Sequence, residues 1–440
     1  MMSATVLSAE TTWQDQKLAA GSSHEGHLVA SEVYTPVAHS QGHTFAVFVD
    51  ATDHPTVIHV DPKGLVTAVP LDAQGDYRGL PDGHNGFSAG IDKAGFLHVT
   101  GDMHQFGAGQ SRNEKYAYPE RYDDKKNAAM LYWRSRKPWN AAAGFEFRGA
   151  RGSRHLMPGT SWSYGRFVAD RNGELYYSAR VRAFWSKNYT RAGAKEGALA
   201  LGLYRYDVEK ETWCAIGGYP DTDPANTASR YRVLFWARSG RADTGGSYQV
   251  YQSALSFDLA NRLHVAVHAI VGPDNDSRLL YASSGDGGVT WLKADGEVIP
   301  GLPLRGEDRE VNRAHTITNT GAGIVRVVAD ADGVPAVNQG HSYKGSFVWD
   351  GNAWTFRTDV PGHRGYIRPD GSLVFASAWA VWDVDHLNKP TIEVQENRPG
   401  LSVVSQKGVL ETGDLYGLRV GKDGRSVSLH RMRRGDPPAL

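Results

Sequence analysis

One short pattern returns along this chain often enough to constrain its fold. It is an apolar strand, an Asp, two or three turn residues that often include Gly, and a second strand alternating apolar and polar side chains. Copies run over 45–60, 88–104, 165–181, 253–270, 325–341, 365–382 and, more loosely, 416–432. Asp and Gly suit the turn because both tolerate left-handed backbone angles. Between the copies lies a second hairpin pattern, a Tyr or Trp strand, a polar turn and then Trp or Phe, as in "LYRYDVEKETW" and "FVWDGNAWTFRT". Two hairpins make one four-stranded antiparallel blade, and seven copies predict seven blades. The expected fold is therefore all-β, a seven-bladed β-propeller with its active site at the mouth of the central channel.

Composition agrees. The 440 residues include 50 Gly, 12 Trp and 20 Tyr, which fits many short strands, tight turns and aromatic packing between sheets. Ser284 to Trp291 reads S-x-D-x-G-x-T-W, an Asp-box, in which Ser and Asp brace a hairpin turn and Trp packs between sheets. We expect residues 1–40 to supply a strand that closes the ring, 41–432 to form the propeller and 433–440 to be a tail. Insertions at 105–130 and 183–200 are read as loops on the binding face.

Lys plus Arg and Asp plus Glu number 48 each, so the formal net charge is zero. That argues against a nucleic-acid partner, yet leaves room for a local basic cleft. No apolar run approaches membrane-spanning length. The N-terminal stretch lacks the basic and apolar regions of a signal peptide, so location is left open between the cytoplasm and a chain that has lost its secretion signal. The single cysteine, Cys214, is expected to be a small buried apolar residue. A monomer is expected.

The copies can be aligned on their turn residues Asp92, Asp170 and Asp258. Six residues later come His98, Tyr176 and His264; ten later come Asp102, Arg180 and His268. Side chains alternate along a strand, so even offsets share a face. Arg180 and His268 thus hold equivalent places on two blades, and His104 lies just beyond that place on a third. Upstream, Tyr164 lies six before its Asp and His84 eight before; Tyr251 lies seven before, an odd offset that calls for a β-bulge. These six side chains are expected to meet at one rim. His54, His59, His98 and His155 are read as structural, and Tyr176 and Tyr177 as strand packing.

The stretches "DGHNGFSAGIDKAGFLHVTGDMH" (82–104) and "SWSYGRFVADRNGELYYSAR" (161–180) resemble the seven-bladed propeller polysaccharide lyases of the BNR-repeat type, which include ulvan lyases and lyases releasing rhamnose from glucuronate. The family pattern places two His about twenty apart, then a Tyr, then an Arg sixteen further on. Here His84 and His104, then Tyr164 and Arg180, have those spacings. A later Tyr–His pair is matched by Tyr251 and His268. The likeness is firm over roughly 80–270. "SYGRF" departs from the family's usual surroundings of the Tyr, which bears on substrate.

The resemblance implies β-elimination at O4 of a glucuronate. Arg180 would neutralise the substrate carboxylate with help from His104. His84 would take the C5 proton and Tyr164 protonate the departing O4, although the base and acid roles could both fall to the Tyr. Asn85, Tyr251, His268 and Arg166 would bind substrate, an acidic uronate-containing glycan. No cofactor is needed for the chemistry; a structural calcium or zinc occurs in some members. Two rivals are a sialidase-like hydrolase, which would need paired carboxylates, with Asp82, Asp102 and Glu146 near the right segments, or a Tyr nucleophile with an acid, and arginines such as Arg166, Arg180 and Arg238, and a non-catalytic carbohydrate-binding propeller.

Overall fold

The computed structural model describes residues 16–17, 33–50, 52–75, 77, 85–101, 103, 120–122, 127–159, 162–182, 196–220, 231–236, 248–271, 276–305, 312–317, 324–339, 345–377, 380–388, 390, 392–395, 403–420 and 427–433. Seven antiparallel blades follow one another along the chain. Blade 1 comprises Val37–Ser40, His43–Val49, Pro55–Val60 and Val66–Pro70. Blade 2 comprises Phe87–Ile91, Leu97–Gly101, Tyr132–Lys137 and Asn140–Phe147. Blade 3 uses Ser163–Ala169, Leu175–Arg182, Glu196–Asp207 and Thr212–Ile216, and blade 4 Tyr248–Phe257, Leu263–Val271, Asp276–Ser284 and Asn312–Ile317. Blades 5 and 6 start at Val325–Ala329 and Arg364–Ile367. Blade 7 takes three strands from the C-terminal part, Val403–Val404, Leu415–Val420 and Val427–Met432. Its fourth is Gln16–Lys17, which pairs antiparallel with Leu429 and Ser428.

The first strands of blades 1 to 6 touch in order, and blade 7 closes the circle, meeting blade 6 through the Gln406–Thr412 segment and blade 1 through that segment and Leu415–Val420. Close approach near the axis needs small residues. A Cβ on Gly90 of blade 2 would lie 2.6 Å from Cβ of Phe167 on blade 3, so only Gly lets these strands come so near.

The repeated Asp is what makes the hairpins alike. In blade 2, Oδ1 of Asp92 accepts from the amides of Ala94 and Phe96, both at 2.9 Å. Gly95 takes φ +88°, and its amide donates to the Asp92 carbonyl. Asp170, Asp258 and Asp330 hold equivalent turns, with Gly173, Asn261 and Gly333 in the left-handed region. This is a type I turn closed by a left-handed residue, a common hairpin connection.

Two of the seven copies sit elsewhere in their blades than the other five. In blades 2 to 6 the pattern spans the first and second strands. In blades 1 and 7 it spans the second and third, because Val37–Ser40 and Val403–Val404 precede it as innermost strands. Val37–Ser40 thus belongs to the propeller although it precedes residue 41. In blade 7 the first turn is replaced by the one α-helix among the described residues, Gln406–Thr412. Ser405 caps its start by accepting from Gly408, and Gly413 at φ +79° ends it. The helix packs on the first strands of blades 1, 3 and 6. Nζ of Lys407 donates to the carbonyls of Asp170 and Arg171. It therefore floors the channel at the end where the Asp turns lie.

Six residues past the turn, the Asp braces the next strand as well. His98 Nε2 lies 3.0 Å from Oδ2 of Asp92, and its Nδ1 2.6 Å from the Tyr132 hydroxyl. His264 repeats this with Asp258 and Tyr281. Burial lowers the His98 pKa, so the ring is neutral. A carboxylate can only accept, so Nε2 donates to Asp92 and Nδ1 accepts from Tyr132. His59 pairs with His43 at 2.9 Å, His54 with the Gly75 carbonyl and His155 with the Glu211 carbonyl, so all four histidines read as structural are hydrogen-bonded. Tyr176 and Tyr177 are buried as strand packing.

Cys214 corrects the expectation of burial: it is exposed. It sits on the outermost strand of blade 3, where Trp213 turns inward and the alternation sends its neighbour out. In the Asp-box hairpin, Ser284 donates to Asp286, the amides of Val289 and Thr290 donate to Asp286, and buried Trp291 donates to the Gly288 carbonyl. Burial pulls the Asp286 pKa upward, but the Thr290 amide, the Ser284 hydroxyl and the Val289 amide outweigh it and hold it at about 2.

Replacing His98 with Ala should cost about 3 kcal/mol, because it strands the Asp92 carboxylate and the Tyr132 hydroxyl in a dry interior. Urea unfolding measures it, and a loss below about 1 kcal/mol would show that water takes over the bonds.

Candidate active site

The rim opposite the helix gathers side chains of blades 3 and 4. Arg180 lies near the end of the second strand of blade 3, ten residues past Asp170, and pairs in register with Ser163. Its Nε donates to Oγ of Ser163 at 3.0 Å. Its guanidinium carbon lies 4.4 Å from the centroid of the Tyr164 ring and 5.7 Å from that of Tyr251. The two rings are 6.2 Å apart, and Tyr251 is 5.5 Å from the ring of His268. Four of the expected site residues, Tyr164, Arg180, Tyr251 and His268, are thus brought together.

Both tyrosines sit at breaks in the ladder. The pairing slips by one residue between Ser163 and Arg166 in blade 3 and between Val250 and Gln252 in blade 4. In blade 4 the additional residue is Tyr251, the bulge that its odd offset requires. In blade 3 Tyr164 takes φ +55°, a left-handed conformation that costs a non-Gly residue about 1–2 kcal/mol. Gly165 completes this bulge: a Cβ there would lie 1.9 Å from the Tyr177 hydroxyl. Its carbonyl accepts from Ser88 of blade 2 at 2.6 Å. Bulges re-aim side chains, and these two turn a pair of rings toward one guanidinium.

Burial holds the His268 pKa down at about 4, so the ring is neutral at neutral pH. Two residues beyond Arg180, Arg182 shares its face; burial lowers its pKa first, and the charge of Arg180 adds to this. Sequence reasoning missed Arg182 and Ser163. The even offset from Arg180 would have found the first, while the second follows only from the strand register.

The remaining expectations fare differently. His84, His104, Asp82, Asp102 and Arg238 lie outside the described residues, as do most of 105–130 and 183–200. Asn85 is buried. Arg166 is separated from the tyrosine rim: it is buried, donates through Nε to the Val33 carbonyl and lines the central channel below. Glu146 lies on the outermost strand of blade 2 and pairs with Arg148 at 3.0 Å, away from the channel. For a metal, Asp330, Asp332 and His386 bring one donor atom each within 4.8 Å of one another. Asp330 already accepts from the amides of Asp332, Val334 and Leu387. Three protein donors are fewer than the four of a closed structural zinc site, and one of the three is already engaged by these amides.

Residues 43–358 match the model of the BNR repeat-containing family. The chain belongs to that family. Among solved structures, the polysaccharide lyase Uly1 is similar at 13% identity and TM-score 0.64, with 92% of each chain covered. An ulvan lyase of polysaccharide lyase family PL25 is similar at 15% identity and TM-score 0.56, covering 94% of this chain and 96% of that one. The same kind of enzyme bound to -[GlcA(1-4)Rha3S]- gives 13% identity and TM-score 0.54, with 95% of each chain covered. At these identities the likeness establishes a shared fold. A comparison with curated proteins gives no match.

Two outcomes follow for this BNR-repeat propeller. Gly165→Ala should lose about 1–3 kcal/mol through overpacking, and adding Tyr177→Phe, which removes the nearest clashing atom, should restore part of it. Equal unfolding midpoints for the single and double variants would break the link to the Tyr177 hydroxyl. For acid stability the sign is set by depressed folded-state values: His268 at about 4, His59 at about 4 and His39 at about 3, each driven first by burial. Unfolded His takes a proton near pH 6.5. Stability is therefore full above about pH 6.5 and falls as pH drops toward 4, by on the order of 3 kcal/mol from His268 alone. His268→Gln should flatten the decline of melting temperature over that window; an unchanged slope would rule the ring out as a source.

Proposed function

We propose that this chain is a lyase that cleaves a bond at O4 of a glucuronate in a rhamnose-containing acidic glycan. The observation that carries the reading is the seat of Arg180, between two tyrosine rings that two separate bulges turn toward it. A simple sugar platform has no need of a strained tyrosine stacked on a guanidinium. The names of the similar structures, a polysaccharide lyase, an ulvan lyase and an ulvan lyase bound to -[GlcA(1-4)Rha3S]-, favour the same chemistry.

In this mechanism Arg180 grips the uronate carboxylate with parallel N–H donors. As the C5 proton leaves, negative charge grows on that carboxylate, and the fixed cation stabilises it. His84 takes the C5 proton. The electron pair of the C5–H bond becomes the C4–C5 double bond as the C4–O4 bond breaks. Tyr164 delivers a proton to O4, since a phenol stays protonated near neutral pH. Tyr251 and His268 shape the subsite around the ring, and His104 assists Arg180. No water enters the products, and no metal takes part in a step.

The experiment is ultraviolet absorbance during incubation with ulvan, gum arabic and glucuronan. Elimination leaves a conjugated double bond that absorbs; hydrolysis leaves none. We expect a rise on at least one rhamnose- and glucuronate-containing substrate, reduced by about 10²–10⁴-fold in Tyr164→Phe and by about 10²–10³-fold in Arg180→Ala. New reducing ends without absorbance would replace the lyase with a hydrolase.

A further inference from the structure

We infer that Thr35, which precedes blade 1 in the chain, is a positioning residue for Tyr164: it fixes the bulge that turns that ring to the guanidinium of Arg180. The coupling is structural; its consequence for turnover rests on the lyase reading. Residues 33–35 belong to no strand, and the chain changes blades there. The Pro36 carbonyl still accepts from Val47 of blade 1 at 2.9 Å, whereas the Thr35 carbonyl accepts from Ala89 of blade 2 at 2.9 Å. Buried Tyr34 seats this crossing: a Cβ on Gly86, just ahead of the first strand of blade 2, would lie 2.4 Å from its ring. Thr35 then reaches blade 3, where its Oγ1 accepts from the Phe167 amide at 2.9 Å. Its own amide donates to Oγ of Ser88 at 2.9 Å, and that hydroxyl donates onward to the Gly165 carbonyl at 2.6 Å. One residue earlier than Tyr34, the Val33 carbonyl accepts from Nε of Arg166 at 2.6 Å. Gly165, Arg166 and Phe167, the three residues that follow Tyr164, are thus each held by this crossing, directly or through Ser88.

The inner edge of a blade's first strand has no neighbouring strand in its own sheet, so its buried amides and carbonyls need other partners. Ser88, Ala89 and Phe167 are all buried, so water is a poor substitute for Thr35 there. A left-handed tyrosine persists only where its surroundings over-determine it. The ladder to Leu175–Arg182 cannot do that alone, because it slips at this point. The crossing supplies the missing hold, from a residue 132 positions before Phe167 in the chain. A threonine suits the post: its branched side chain is stiff about χ1, and its hydroxyl oxygen accepts where an aliphatic group could not. Without that hold the Tyr164 ring would be free to leave the Arg180 guanidinium, now 4.4 Å from its centroid. A misplacement of about 1 Å can slow a reaction by about 10²-fold.

The test is fluorine NMR of the whole chain with 3-fluorotyrosine incorporated at Tyr164, and in a second sample at Tyr281 of blade 4 as a remote, buried reference. Thr35→Val keeps the shape of the side chain and loses the acceptor. We expect it to shift the Tyr164 resonance and leave that of Tyr281 in place. Thr35→Ser keeps the hydroxyl and should return the Tyr164 resonance toward its wild-type position. On a glycan that the wild type cleaves, Thr35→Val should lower kcat by about 10–10²-fold with KM little changed, because the group lost acts through Tyr164 and not on substrate. Ser88→Ala breaks the relay to Gly165 from blade 2 and should shift the same resonance, which keeps the idea testable if Thr35→Val does not fold. A Tyr164 resonance that stays in place in the folded variants, or that moves together with the Tyr281 resonance, would overturn the proposal. A wild type that cleaves no glycan would overturn the lyase reading alone, since the two resonances decide the coupling without turnover.

Discussion

The turn carboxylate holds this molecule to its plan. In blade after blade an Asp at the end of one strand accepts from amides two and four residues later and fixes where the next strand begins. Because that origin is the same, offsets from it mean the same height and face on every blade built this way. The buried His98 and His264 show how far the control reaches, since the free oxygen of the same Asp grips each ring six residues on. A hairpin that slipped by one would turn every inward side chain outward. The Asp therefore sets both the core and the places where functional groups can stand.

Against that regular ladder the two bulges stand out. Regular pairing would leave Tyr164 and Tyr251 on the sheet's own alternation. A single added residue in each strand instead turns them to the guanidinium of Arg180. The cost is local, a left-handed tyrosine and a position beside the Tyr177 hydroxyl where only glycine fits. Strain of this kind persists only where the surroundings over-determine it. Here the Ser88 bond from blade 2 to the Gly165 carbonyl and the packing of Tyr177 do so.

What the sequence discloses follows from this division. The turn Asp is a local signal, so the number of blades, the shared face of Arg180 and His268, and the structural role of His98 can all be read from spacing. The place of a copy within its blade is not local. Nothing in 45–60 or 416–432 says that another strand has already taken the inner position, because Val37–Ser40 is short and Val403–Val404 shorter still. Cys214 misleads for a similar reason: residue type favours burial, while the face it occupies is set by Trp213 beside it. The odd offset of Tyr251 does announce its bulge. That of Tyr164 is even and hides one, since both its slip and its conformation depend on contacts with Tyr177 and Ser88 from other strands.

The same bookkeeping of offsets explains why Arg166 parts company with Tyr164 although they are two residues apart. Tyr164 lies within the bulge, where the ladder no longer dictates direction. Arg166 lies after it, where pairing with Ser178 has resumed, and it again stands four residues before its turn, as Arg326 and Arg364 do on the first strands of blades 5 and 6. One slip in register thus divides two neighbouring residues between two environments, the rim and the channel wall. A propeller built on a common turn can change what it presents at its mouth by adding one residue to a strand, while the positions below the bulge keep their register.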